Sequence, residues 1–146
     1  MSSDPAPDDV RLHGARQFIE ALPHARALGL AVEGVGDGWA TLSMPWADHL
    51  VGDPRTGVIH GGAVSTLMDT CGGAAVLTHP TGALGTATMD LRIDYMRAAT
   101  PGQAVTARAD CHHVTRAVAF VRAEARDGDG VVAVANGTFT LERPRP

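Results

Sequence analysis

The sequence predicts an α+β domain in which an antiparallel sheet wraps around one long central helix. From Gly61 to Leu77 nearly every residue is apolar or small, so a helix there predicts burial on all sides. Beyond it the apolar period changes to two and holds to residue 141, through four stretches, two of whose three separating turns hold Gly, the pattern of half-buried strands. A length of 146 residues suits one domain with one core. A sheet with one apolar face and a helix without a polar face cover each other.

The elements follow in order. Residues 1–9 hold Pro, Asp and Ser with little to bury and read as a disordered tail, leaving residues 10–146 as a single domain. Leu12, Ala15, Phe18, Ile19 and Leu22 recur at helical spacing until Pro23 stops the pattern. Ala31–Val35 and Trp39–Met44 flank Gly36-Asp37-Gly38 as a hairpin. Residues 45–59 are rich in Pro, Asp and Gly and read as a loop. The long helix ends at His79-Pro80-Thr81-Gly82. In the strand Ala87–Tyr95 the odd positions Ala87, Met89, Leu91, Ile93 and Tyr95 are apolar. Three more strands, near 104–114, 117–126 and 131–141, are divided by turns that include Asp127-Gly128-Asp129-Gly130.

Composition excludes several classes of partner. The formal charge is −4, and every basic residue is a scattered arginine, whereas nucleic-acid binding needs clustered cations. The acidic N-terminus opens no signal sequence, and no apolar run reaches membrane-spanning length. A soluble cytoplasmic protein is expected. Cys71 and Cys111 lack CxxC spacing and read as buried thiols in a reducing compartment. The seven histidines show no HxxxH or HExxH spacing, and His112 and His113, adjacent in a strand, point to opposite faces. Neither a metal nor a cofactor is expected.

The chemistry concentrates in the long helix. Asp69 is its only carboxylate, and a carboxylate among apolar residues serves either as a structural anchor or as a reacting group. Gly61 and Gly62, after His60, open the same helix. Unpaired N–H groups there carry partial positive charge, and the glycines let an oxygen approach them closely. An oxyanion site and a base are the pairing this suggests. Asp69 follows His60 by nine residues, roughly 13 Å along a helix, so one chain cannot bring both to one carbonyl. Two copies with antiparallel helices across a two-fold axis can. The sequence therefore predicts a homo-oligomer, a dimer or a dimer of dimers, with the site between subunits.

The run Gly57-Val58-Ile59-His60-Gly61-Gly62 with Leu67-Met68-Asp69-Thr70, followed by Met89-Asp90-Leu91-Arg92-Ile93-Asp94-Tyr95 and Ala98-Ala99-Thr100-Pro101-Gly102, resembles the phenylacetic-acid-degradation (PaaI) type of hotdog thioesterase over about residues 23–141. The resemblance implies the hotdog fold and hydrolysis of an aryl- or medium-chain acyl-CoA to free acid and CoA. It implies an oxyanion N–H from Gly61, with His60 shaping the turn and Gly62 beside the substrate. Asp69, from the neighbouring subunit, is then base or nucleophile, and Thr88 helps hold the water or the carboxylate. By alternation alone Thr88 is a strand residue on the polar face. Where many family members have Asn-Pro-x-Gly before the His, this chain has Asp53-Pro54-Arg55-Thr56-Gly57. An ionised Asp53 donates no hydrogen bond, so it fills the Asn's place only if protonated.

Arg116 and, after it, Arg97 are the candidates for CoA phosphate contacts, each weighed against a solvated strand-end role. Trp46, Leu50, Val51, Met68 and Leu77 are candidates to line the acyl slot. The alternatives on the same scaffold are a hotdog enoyl-CoA hydratase, disfavoured because no second acid accompanies His60, and a non-catalytic acyl-CoA-binding protein. The latter class usually carries a DNA-binding module, for which the segment before the first strand is too short and too acidic.

Overall fold

The computed structural model describes residues 7–146. The expected tail therefore lies mostly outside the described residues, and the first helix, α1 (Pro7–Ala21), begins before residue 10. Pro23 both stops α1 and opens a short α2 (Pro23–Leu28), which Gly29 closes with φ 69°. Sequence reading saw only the stop, because six residues are too few to show a period.

The hairpin β1 (Ala31–Gly36) and β2 (Trp39–Met44) begins a six-stranded antiparallel sheet. Between it and the long helix, a small two-stranded sheet of β3 (Val51–Asp53) and β4 (Val58–Ile59) replaces the expected loop. The Trp46 indole N–H, donating to Gly57 O at 2.8 Å, pins that excursion. The helix α3 (Gly61–Leu77) follows, then β5 (Thr88–Tyr95), β6 (Val105–Val114), β7 (Val118–Asp127) and β8 (Gly130–Thr140). Strand order is β1-β2-β6-β7-β8-β5, so β5 stands at an edge.

α3 packs on β2, β6 and β7. Leu67, Met68, Cys71, Ala75 and Val76 are fully buried against Leu42, Ala107, Val121 and Phe139. The contact is close enough to dictate one glycine: a Cβ on Gly72 would come within 2.8 Å of Phe139 Cζ. One expectation fails here. α3 is not covered all round, because the sheet takes only one side, and the small and polar residues Gly61, Gly62, Ser65, Thr66, Asp69, Thr70 and Gly73 form a partly open stripe on the other. Asp69 is accordingly half-buried within the chain rather than enclosed.

The β5 strand departs from plain alternation as well. Its pairing with β8 runs Thr88↔Phe139 but Asp90↔Thr138, a bulge that makes Met89 the extra residue. Leu91 and Ile93 are half-buried, whereas Met89 and Tyr95 are 60% and 48% exposed. Among the described residues no helix is long and apolar enough to cross a membrane.

Candidate active site

His60 caps α3: its Nδ1 accepts the Gly62 N–H at 2.8 Å, and its own N–H donates to Leu50 O at 2.8 Å. An Nδ1 that accepts carries no proton, so in the neutral ring the proton sits on Nε2. The Ala63 N–H donates to His60 O at 2.9 Å. The hydrogen bonds at this turn thus engage the N–H groups of His60, Gly62 and Ala63, while that of Gly61 has no acceptor among the described residues. Of the two glycines proposed for substrate contact, Gly61 keeps its donor and Gly62 spends its donor on His60.

Tyr95, counted in the sequence only as an apolar strand position, joins this turn. Its hydroxyl lies 2.8 Å from Gly61 O, Ser65 Oγ lies 3.1 Å from the same oxygen, and the two hydroxyls are within bonding distance of each other. With one proton apiece, one hydroxyl donates to the carbonyl and the other to its neighbour. A Cβ on Gly61 would stand 3.6 Å from the Tyr95 ring. The signal available in the sequence was the polar tip of a tyrosine at a strand end, which needs a partner where the ring packs.

Two turns further along α3, Asp69 Oδ1 accepts from Thr88 Oγ1 at 2.6 Å. The bulge in β5 makes that contact possible. Thr88 pairs with Phe139, whose ring reaches α3, so the extra residue turns Thr88 from the polar face onto the helix face shared by Leu91. The Thr88 hydroxyl is the partner of Asp69 among the described residues, leaving the second carboxylate oxygen available to a proton or a carbonyl carbon. The nearby thiol of Cys71 is no rival nucleophile: desolvation pushes its pKa up to about 12.

Asp53 is tied to Arg55, whose backbone N–H donates to it at 3.0 Å and whose guanidinium donates to both oxygens at 3.1 Å. These bonds, led by the guanidinium, hold its carboxyl below the ordinary range. It is therefore ionised and cannot stand in as an amide donor. Arg116 is exposed in the β6–β7 turn, at the end of the sheet where Val118 faces Thr140 and Phe139 faces Thr88.

Arg97 has a structural task instead. It forms an ion pair with Asp127, donates to Gly130 O at 2.9 Å and to Ala98 O at 3.0 Å, and so joins the β7–β8 turn to the segment after β5. The Asp127 side chain is fully covered, and the Arg97 guanidinium holds its carboxyl well below the usual carboxylate range. A depressed carboxyl stabilises the fold fully above the unfolded Asp pKa of about 4 and loses that contribution as the pH falls toward the folded value. Asp127→Asn is therefore expected to lower the melting temperature at pH 7 by several degrees and to flatten the loss of stability below about pH 4. Circular-dichroism melts across pH check both; an unchanged acid limb would remove the ion pair from this account.

Of the proposed slot residues, Met68 is enclosed in the core and lines nothing. Trp46 is committed to Gly57. Leu50 and Val51 line a cleft of about 260 Å³ with His24, His49, His60 and Thr66. Leu77 lines a separate apolar groove of about 410 Å³.

The protein is similar to known ones along most of its length. It is 28% identical over 140 residues to the medium/long-chain acyl-CoA thioesterase YigI of Salmonella typhimurium, covering 85% of this chain and 88% of that one. A candidate esterase of Halobacterium salinarum is 42% identical over 76 residues, and the chain spans half the length of that relative. A solved protein of the thioesterase superfamily superposes with a TM-score of 0.83 at 32% identity, covering 91% of this chain and 99% of that one. The Escherichia coli PaaI protein, at 21% identity, shares the fold with a TM-score of 0.83, covering 94% of this chain and 97% of that one. These superpositions identify the sheet around α3 as the hotdog fold. The sequence profile of the thioesterase superfamily matches residues 56–134, which run from the turn before His60 through Asp69 and Thr88 into β8, and on that match the chain belongs to the thioesterase superfamily and is a thioester hydrolase.

Proposed function

We propose that this protein hydrolyses acyl-CoA thioesters, each site combining Asp69 and Thr88 of one copy with the Gly61 N–H of another. The observation that carries the reading is the 2.6 Å bond by which Thr88 orients the Asp69 carboxylate on the open stripe of α3. Asp69 takes a proton from water as the water oxygen bonds to the thioester carbon, or bonds to that carbon itself. The Gly61 N–H donates to the carbonyl oxygen as it becomes negative. Collapse of the tetrahedral species breaks the C–S bond. On the water route Asp69 passes the proton it took to the leaving CoA sulfur. On the direct route the Asp69 acyl anhydride is then hydrolysed by water, which adds its oxygen to the acid, frees the carboxylate and supplies the proton for the CoA thiolate. Supporting the shared site, Gly61 and Asp69 are eight residues apart, about 12 Å on one helix. The unpaired edge of β5, with Met89 and Tyr95 exposed, also suits a second copy. Arg116 is the residue proposed to meet the CoA phosphates. A cytoplasmic setting fits the two free thiols.

A panel of acyl-CoA substrates, with released thiol followed by a colour reagent, tests the reading; binding without thiol release at any substrate would sink it. Within that panel, Thr88→Val keeps the shape of the side chain and removes its donor. Its kcat is expected to fall about tenfold, the scale of a misplaced rather than absent base.

A further inference from the structure

Gly73 sits in the middle of α3, where glycine is less favourable than alanine. Its neighbour Gly72 is forced by Phe139, but a Cβ on Gly73 would meet only Thr86 Cγ2, at an ordinary 3.8 Å. Nothing among the described residues requires this glycine. It lies one turn beyond Asp69 on the open stripe. The segment leading into β5 runs beside the stripe as a second wall, with Thr88 on Asp69 at 2.6 Å, Thr86 beside Gly73, and Gly82 near Leu77. The Thr86 hydroxyl donates to Thr140 O at 2.7 Å, which leaves its methyl group toward Gly73. Beyond this trough, from Ala74 and Leu77 onward, lies the groove of about 410 Å³ between α1 and the end of α3, lined by Phe18, Ile19 and Leu77 together with Arg11, Thr78 and His79.

We propose that this trough seats the acyl chain of the substrate, with bare backbone at Gly73 as its floor and the groove beside Phe18 holding the far end. The substrate class is then a linear medium-chain acyl-CoA rather than an aryl one. This rests on the acyl-CoA reading above. From Asp69 to Leu77 is about 12 Å along the helix, the length of a chain of about eight to ten carbons, whereas an aryl group fills only the first turn. The choice of direction follows from polarity: the cleft at the other end of α3 has three histidines, His24, His49 and His60, beside Leu28, Leu50 and Val51, whereas the groove has one, His79, with Arg11, and a larger apolar lining that includes Phe18, Ile19 and Leu77.

The test is a chain-length series of saturated acyl-CoAs, from four to sixteen carbons, on the wild type and on two variants. Burial of each added methylene is worth about fourfold, so wild-type kcat/KM is expected to rise up to about ten carbons and then level. Gly73→Val fills the floor from a Cβ that stands an ordinary 3.8 Å from Thr86 Cγ2, and Phe18→Asp places a charge in the groove at a side chain that is 50% exposed. Each is expected to lower the ratio of kcat/KM for the ten-carbon over the four-carbon substrate by tenfold or more. Ratios equal to wild type in both variants overturn the proposal. So does dissociation of the Gly73→Val oligomer on gel filtration with an unaltered chain-length profile, which assigns the glycine to packing between copies. A flat wild-type profile overturns this proposal alone, whereas a wild type that releases thiol from no substrate overturns the acyl-CoA reading with it.

Discussion

Asp69→Asn is expected to fold and assemble as the wild type does while its kcat falls by on the order of 10²-fold or more. The amide keeps the size of the carboxylate and can still accept from Thr88 Oγ1, whose bond to Asp69 is 2.6 Å long. What it loses is the second, basic oxygen. General-base catalysis is typically worth ~10²–10⁴-fold, which sets the scale of the loss. A purely structural Asp69 makes the opposite demand: the melting temperature drops and turnover per folded molecule stays near wild type. Because Asp69 is half-exposed in the chain, the substitution leaves no orphaned buried charge, and the melting temperature is expected to stay level or rise. Measuring kcat and melting temperature on the same preparation separates the two roles.

Mixing two inactive parents, Asp69→Ala and Gly61→Val, is expected to restore activity. Each mixed dimer then holds one site in which the wild-type Asp69 of one copy meets the wild-type Gly61 of the other. With free exchange, half of the dimers are mixed and each carries one intact site of two, so about a quarter of wild-type activity returns. The Gly61→Val side chain crowds the Tyr95 ring, only 3.6 Å from even a Cβ at that position, and blocks approach to the N–H. Subunit exchange is followed independently by mass spectrometry of differently tagged copies. Exchange without recovered activity would falsify the shared site. Activity in a monomer isolated by sedimentation would do the same.

Much of this molecule was legible in the residue order, for a physical reason. The helix Gly61–Leu77 and the strands after it are marked by short-range periodicity, which reports each residue's face without knowledge of its partners. That Asp69 and the His60-Gly61-Gly62 turn stand out on one helix was readable too, because a carboxylate within an apolar helix and glycines at its start are both local anomalies. The sequence could not show that α3 keeps an open stripe, since how much of a helix a sheet covers depends on the sheet's width and strand order. It read Thr88 by alternation onto the polar face, and its approach to Asp69 rested on family likeness alone.

By itself, then, the sequence determined the α+β order of elements, the burial of the sheet's inner face and the placing of Asp69 and Gly61 two turns apart on one helix. Only the tertiary structure decided which groups surround them. The bulge at Met89, set by how β5 registers against β8, turns Thr88 onto Asp69. The fold brings Tyr95 from the far end of that strand to Gly61 O and commits Arg97 to Asp127 rather than to a ligand. Each of these depends on contacts between residues distant in the chain, and a local pattern carries the period of an element but not the register in which two elements meet.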